Sequence, residues 1–172
     1  MPQLLAHPAY ARSRSVAVYL STAAEVDTKA VLADLEASGR ACFVPRYAWG
    51  KAARERAARG LPGMEMVQLR GLDDLAALPT TPWNIPQPAL DDPRPRPGEQ
   101  GLPALDLVLL PGVAFTRAGD RLGHGMGFYD KFLAGLPEPK PATIALAFLE
   151  QVEDSLPTSS HDVAVDHVIV GD

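Results

Sequence analysis

Leu105-Asp-Leu-Val-Leu-Leu110 runs directly into Pro111-Gly-Val-Ala-Phe-Thr-Arg-Ala-Gly-Asp-Arg-Leu-Gly-His-Gly-Met-Gly-Phe-Tyr-Asp130. The first six residues read as a buried strand, because near-continuous Leu/Val runs suit a parallel sheet covered on both faces. Pro111 ends it. The stretch from Gly127 to Gly135 then carries Phe128, Phe132 and Leu133, an apolar side for a helix. A strand, a glycine-rich turn and a helix in that order point to an α/β sheet whose ligands bind beyond the C-terminal strand ends. Gly123, Gly125 and Gly127 alternate. Glycines in that pattern let the backbone bend tightly and turn N–H groups toward a ligand. A following helix start favours phosphate through its partial positive charge. The turn is neither a Walker loop nor a dinucleotide fingerprint, and a purely structural turn explains the glycines equally well.

Working outward, the same alternation recurs. Ser15–Leu20 is β-prone and leads into a segment rich in helix-start chemistry. Asp27 or Thr28 is placed to cap a helix with Val31, Leu32 and Leu35 on its apolar face, and Gly39 suits its C-terminus. Arg40–Pro45 reads as the next strand, so this first third predicts a right-handed βαβ unit. Met64–Leu69, Thr143–Phe148 and Asp166–Val170 add further strands, and Leu72–Leu78 a short helix. The expected fold is an α/β three-layer sandwich around a mostly parallel sheet, Rossmann-like, formed by residues 1–172 as a single domain. Lys51–Arg59 carries four basic residues against one Glu. It reads as a solvated helix, with a polyanion-binding arm as the alternative.

Prolines punctuate the middle of the chain. Eight fall between Pro79 and Pro103, so this stretch is a loop. Its first half, Thr81–Pro88, holds Trp83 in a stiffened backbone. Its second half, within the Pro-rich loop 89–102, is charged and reads as a mobile linker. The 172 residues suffice for one core, and 22% charged against 47% hydrophobic is a globular balance. A net charge of −5 argues against a broad nucleic-acid face but allows a local anion site. No stretch reads as a membrane span or a signal peptide, so neither nucleic acid nor membrane is an expected partner. The single cysteine, Cys42, sits in an apolar run and reads as a small buried hydrophobe in a reducing compartment.

Trp83-Asn-Ile-Pro-Gln-Pro88, Leu109-Leu-Pro-Gly112 and Asp120-Arg-Leu-Gly-His-Gly-Met-Gly-Phe-Tyr-Asp130 together resemble the 5-formyltetrahydrofolate cyclo-ligase (methenyltetrahydrofolate synthetase) family. Tyr19–Ser21, Glu25, Phe43–Tyr47, Ala145–Phe148 and Asp162–Asp166 extend the likeness over most of the chain. The resemblance implies ATP- and Mg²⁺-dependent closure of 5-formyltetrahydrofolate to 5,10-methenyltetrahydrofolate through a phosphorylated formyl oxygen. It implies ATP contacts from Arg121, Leu122, Gly123, His124, Gly125, Met126, Gly127, Phe128 and Tyr129, with Arg121 and His124 nearest the chemistry. It implies reduced-folate contacts, polyglutamylated forms included, from Leu20, Glu25, Trp83 and the 124–128 stretch. Asp130 and Asp162 take the magnesium positions. A cytoplasmic monomer is expected, with mitochondria as the alternative where a segment precedes Met1.

Two departures bear on activity. Met126 stands where the family commonly has Lys, and a missing ammonium beside transferring phosphate weakens transition-state stabilisation. His124 compensates only if protonated, since a free imidazole is mostly neutral at pH 7. The family's basic N-terminal helix is also expected to be absent, because Met1–Tyr10 resembles the segment just before the first strand. The competing reading is therefore a catalytically weak folate-binding or interaction protein of the same fold. A different ATP-dependent ligase or kinase on that fold is the third.

Overall fold

Ser15–Ala17 (β1), Ala41–Tyr47 (β2) and Leu107–Leu110 (β4) are parallel neighbours in the computed structural model, which describes residues 1–171. Ala142–Phe148 (β7) and His167–Gly171 (β9) continue the parallel ladder, and Met64–Leu69 (β3) adds an antiparallel edge. The order β3-β2-β1-β4-β7-β9 makes a mostly parallel sheet, in agreement with the expected α/β class. From β1 the chain moves one way to β2; from β4 it moves the other way to β7. Right-handed crossovers in opposite directions put their helices on opposite faces. These helices are Lys29–Ala37 (α3) and Phe128–Ala134 (α6). The reversal opens a crevice between β1 and β4 at their C-terminal ends.

The core is the expected one. Val16, Leu107, Val108, Leu109, Leu110, Phe43, Val44 and Ile144 have no exposed surface. Val31, Leu32 and Leu35 bury the inner face of α3, and Gly39 leaves it in the left-handed region at φ 65°. Asp27, not Thr28, accepts the Lys29 N–H at 2.9 Å, while the Thr28 hydroxyl bonds the Tyr19 carbonyl. Cys42 is buried, and burial pushes its thiol up to about 12, as fits an inert hydrophobe. Pro2–Leu5 (α1) and Pro8–Arg12 (α2) precede β1; Gly50–Ala58 (α4) and Leu72–Ala77 (α5) flank β3. None of the described helices is long and apolar enough to cross a membrane.

Two features depart from expectation. A small second sheet forms from Ala114–Thr116 (β5), Arg121–Leu122 (β6) and Val152–Glu153 (β8), so the glycine-rich turn begins from a hairpin and not directly from β4. Gly119 sits in that hairpin at φ 103°, and a Cβ there would lie 2.2 Å from the Val165 carbonyl oxygen. The second departure is the charged stretch 91–100, which is not a loose linker. Arg94 is 8% exposed and bonds Asp74, the Gln68 carbonyl and Asp92. The Pro95 carbonyl accepts the Gln68 N–H at 3.0 Å, covering the outer edge of β3. Pairing across 20 or more residues turned an apparently solvated run into an edge strap.

Glu65 anchors the same edge. Its buried carboxylate takes Arg46 at 3.0 Å, Arg56 at 2.7 Å and Arg96 at 2.6 Å. Burial alone would raise the Glu65 pKa, but the Arg96 hydrogen bond and the three guanidinium charges outweigh it, leaving the pKa below its ordinary 4.5. A carboxylate with a depressed folded pKa adds stability above its unfolded pKa and loses it as pH falls through the folded value. Stability is therefore expected to drop below about pH 4.5. Glu65→Gln should cost about 3 kcal/mol at pH 7, because it strands a buried Arg46, and should flatten that acid-side fall. Urea unfolding at pH 7 and pH 4 checks both.

Candidate active site

At the C-terminal ends of β1, β2 and β4 lies a cleft of about 410 Å³. Thr22 and Glu25 follow β1, Tyr47 ends β2 with Trp49 just beyond it, and Pro111 follows β4. The glycine-rich loop and the start of α6 form one wall, and the Trp83 loop forms the other. The cleft sits at the reversal of strand order, where the sheet topology calls for a ligand.

The loop wall is built for contact with something outside the chain. Gly127 begins α6 from the left-handed region at φ 62°, which a side chain would disfavour. Among the described residues, no N–H from Gly123 to Gly127 donates to a protein acceptor. Met126 is 58% exposed, and His124 is exposed with no side-chain hydrogen bond. Beneath them Arg121 is buried. Its Nη2 pairs with Asp130 at 2.9 Å, its guanidinium lies 5.6 Å from the centre of the Tyr129 ring, and its Nε has no partner. A buried guanidinium that lines the cleft and keeps one donor unpaired leaves a charge-assisted hydrogen bond unmade.

The opposite wall is aromatic. Trp83 is 58% exposed, so it is not a packing residue under its loop. Its ring centre lies 4.6 Å from that of Trp49, and Tyr47 lies 5.2 Å from Phe128. Asn84 turns the loop tip at φ 59°, a conformation Asn tolerates. Gln87 pins the loop to β2. Its side chain accepts from the Tyr47 N–H at 2.9 Å and donates to the Tyr47 carbonyl at 3.0 Å. The Tyr47 hydroxyl donates to that of Tyr129 at 3.3 Å. Burial pushes the Tyr47 phenol up to about 12 and the Tyr129 phenol well above its usual range, so both stay neutral. Sequence reading missed Trp49 as a site residue, and saw Gln87 and Tyr47 only as parts of matching stretches.

The other expected site residues are distributed unevenly. Glu25 lines the cleft from a loop, with its carboxylate accepting the Thr22 N–H at 2.8 Å. Leu20 lies in the core, 8% exposed, while Leu122 and Gly125 are exposed but are not among the lining residues. Asp162 lies on an exposed loop and accepts the Ser159 N–H at 2.6 Å. The next residue, Val163, donates its N–H to Asp130 at 3.0 Å, so the two aspartate segments touch. Among the described residues no cluster of three or more His, Cys, Asp or Glu could cage a metal. Asp130 is already bonded at both oxygens, although each keeps a lone pair. One free carboxylate oxygen on Asp162 and a shared one on Asp130 fit a hard cation held mainly by phosphate and water.

Comparison with known proteins now decides the family. The model described as "5-formyltetrahydrofolate cyclo-ligase family" matches residues 1–171. The chain belongs to the 5-formyltetrahydrofolate cyclo-ligase family. It is 38% identical to the 5-formyltetrahydrofolate cyclo-ligase of Mus musculus, over 99% of this chain and 79% of that protein. It is 35% identical to the probable 5-formyltetrahydrofolate cyclo-ligase of Caenorhabditis elegans, over 93% and 74%. In fold it resembles the 5,10-methenyltetrahydrofolate synthetase of Aquifex aeolicus with a TM-score of 0.70, covering 98% of this chain and 74% of that one at 24% identity. The chain is thus an enzyme of this family and of folate metabolism. The weak-binder alternative gains no support.

Both tryptophans of the chain line the cleft, so intrinsic fluorescence reports on it directly. Gln87→Leu removes both bonds to Tyr47 and releases the Trp83 loop. We expect a loss of about 1–3 kcal/mol in denaturant unfolding and a red shift of tryptophan emission. An unshifted spectrum would show the loop to be held by other contacts.

Proposed function

We propose that this cleft binds 5-formyltetrahydrofolate beside ATP and closes the folate ring. Membership of the family, an enzyme group that uses ATP, supports the reaction. The observation that carries the site is the glycine-rich loop with unbonded N–H groups facing a wall of aromatic rings. One wall suits phosphate and the other a flat heterocycle.

The formyl oxygen attacks the γ-phosphorus of ATP; the new O–P bond forms as the bond to ADP breaks. The folate N10 then attacks the activated carbon and gives up its proton, the C–O bond breaks, and phosphate leaves. The product is the 5,10-methenyl cation. An N-formyl group is a poor electrophile, and phosphorylation makes its oxygen a leaving group. No protein nucleophile is needed, only positioning and neutralisation of charge.

Backbone N–H groups of Gly123, Gly125 and Gly127 hold phosphate oxygens, and the free Nε of Arg121 adds a charged donor. Glu25 accepts from the pterin amino and ring N–H groups. Trp83 and Phe128 flank the ring system, while Tyr47 and Tyr129 act as neutral support. Asp162, with Asp130, holds Mg²⁺, which neutralises phosphate charge when bound. The enzyme acts as a cytoplasmic monomer, a placement its single buried cysteine suits.

Mixing the protein with ATP, Mg²⁺ and 5-formyltetrahydrofolate should raise methenyl absorbance. No product at high enzyme concentration would reject the assignment. Asp162→Asn, on an exposed loop, should raise the Mg²⁺ concentration needed for half-maximal rate while leaving the melting temperature unchanged. Arg121→Met should lower kcat/KM by about a hundredfold.

A further inference from the structure

We infer that Lys131 supplies the mobile cation of the glycine-rich loop and meets the nucleotide phosphates held there. The inference rests on reading 123–127 as the phosphate loop, and it assigns that loop a side chain outside it.

Lys131 sits one turn beyond the loop, and its N–H donates to the Gly127 carbonyl at 3.1 Å. Its side chain leans back over that turn: Cε lies 3.9 Å from where a Cβ on Gly127 would stand. Side chains on a helix lean toward its N-terminus, so the direction is the natural one. Lys131 also lines a cleft of about 550 Å³ with Met64, Met66, Phe128 and Phe132. The methylenes can rest on that apolar surface while the ammonium stays in water. Among the described residues, no carboxylate lies within ion-pair distance of the Lys131 ammonium.

The neighbouring cations are fixed in place. Arg121 is held by Asp130 and the Pro111 carbonyl, and the Lys140 ammonium donates to the Leu133 carbonyl. Met126 offers no charge. An unpaired ammonium beside a loop of unbonded N–H groups is therefore the mobile positive charge at that wall. A lysine suits this task better than a fixed guanidinium. It is a compact charge on a flexible stem and can follow a phosphoryl group as charge shifts from ATP to the formyl oxygen.

The test compares wild type, Lys131→Met, Lys131→Arg and the double variant Lys131→Met/Met126→Lys. KM is measured for ATP and for 5-formyltetrahydrofolate, and ADP binding by calorimetry. Lys131→Met should raise the ATP KM and the ADP Kd at least about tenfold, with the folate KM within about twofold. Lys131→Arg should fall between wild type and Lys131→Met, because it keeps the charge but not the compact head. Met126→Lys in the Lys131→Met background should restore ATP use, because it returns an ammonium to the same loop. Unchanged nucleotide constants in Lys131→Met overturn the inference, as does an equal rise for both substrates. If wild type turns over while Lys131→Met is normal, only the Lys131 assignment falls. If wild type neither turns over nor binds ADP, the phosphate-loop reading falls with it.

Discussion

Parallel pairing of β1 with β4 is the contact on which the rest of the molecule depends. Asp106 makes it. Its carboxylate accepts the Arg14 N–H at 2.7 Å and the Ser15 N–H at 3.1 Å, its own N–H donates to the Ser15 carbonyl, and its carbonyl accepts from Ala142. One residue thus ties the starts of β1, β4 and β7 together. Parallel strands aligned at one end also present their other ends at a common level. There the chain turns away in opposite directions from β1 and β4, and the crevice left between them is the cleft. Position follows from topology; chemistry follows from the segments that hang over the edge.

Those segments share a scarcity of free positive charge. The chain is acidic, and its arginines near the edges are bound to carboxylates: Arg46, Arg56 and Arg96 to Glu65, Arg94 to Asp74 and Asp92, Arg40 to Asp34, and Arg121 to Asp130. Such pairs rigidify the scaffold, but each guanidinium so held has fewer donors for a ligand. Backbone N–H groups, by contrast, carry no net charge and need no counter-ion. The loop wall of the cleft is correspondingly built around Gly123 and Gly127.

Legibility followed the range of the interactions. The hydrophobic strands and the 3.6-residue face of α3 are local patterns, so the sheet and core could be read directly. β5, β6 and β8 are two or three residues each, too short for a period to register, and exist only because remote partners pair with them. The antiparallel sense of β3 is likewise invisible in its own residues. The strap at 91–100 was misread because Arg94 and Arg96 meet Asp74 and Glu65, which lie 20 and 31 residues away. In the cleft, the glycine loop and Trp83 stand in dense local motifs. Trp49 does not, and Gln87, although inside the Trp83–Pro88 motif, matters through two bonds to Tyr47, 40 residues upstream.

The buried Arg121–Asp130 pair shows how scaffold and site merge. Asp130 bonds Arg121 with one oxygen and the Val163 backbone with the other. It therefore couples the loop wall to the segment that carries Asp162. Without Asp130 the guanidinium would be buried with an uncompensated charge, which is far costlier than losing an exposed ion pair. Conversely, with Asp130 in place the guanidinium is oriented before any ligand arrives, and its unpartnered Nε is already desolvated. A donor held dry and fixed in place has no hydration to shed and no rotamer to choose when it meets an anion. The same carboxylate thus both places the arginine and ties it to the segment that carries Asp162.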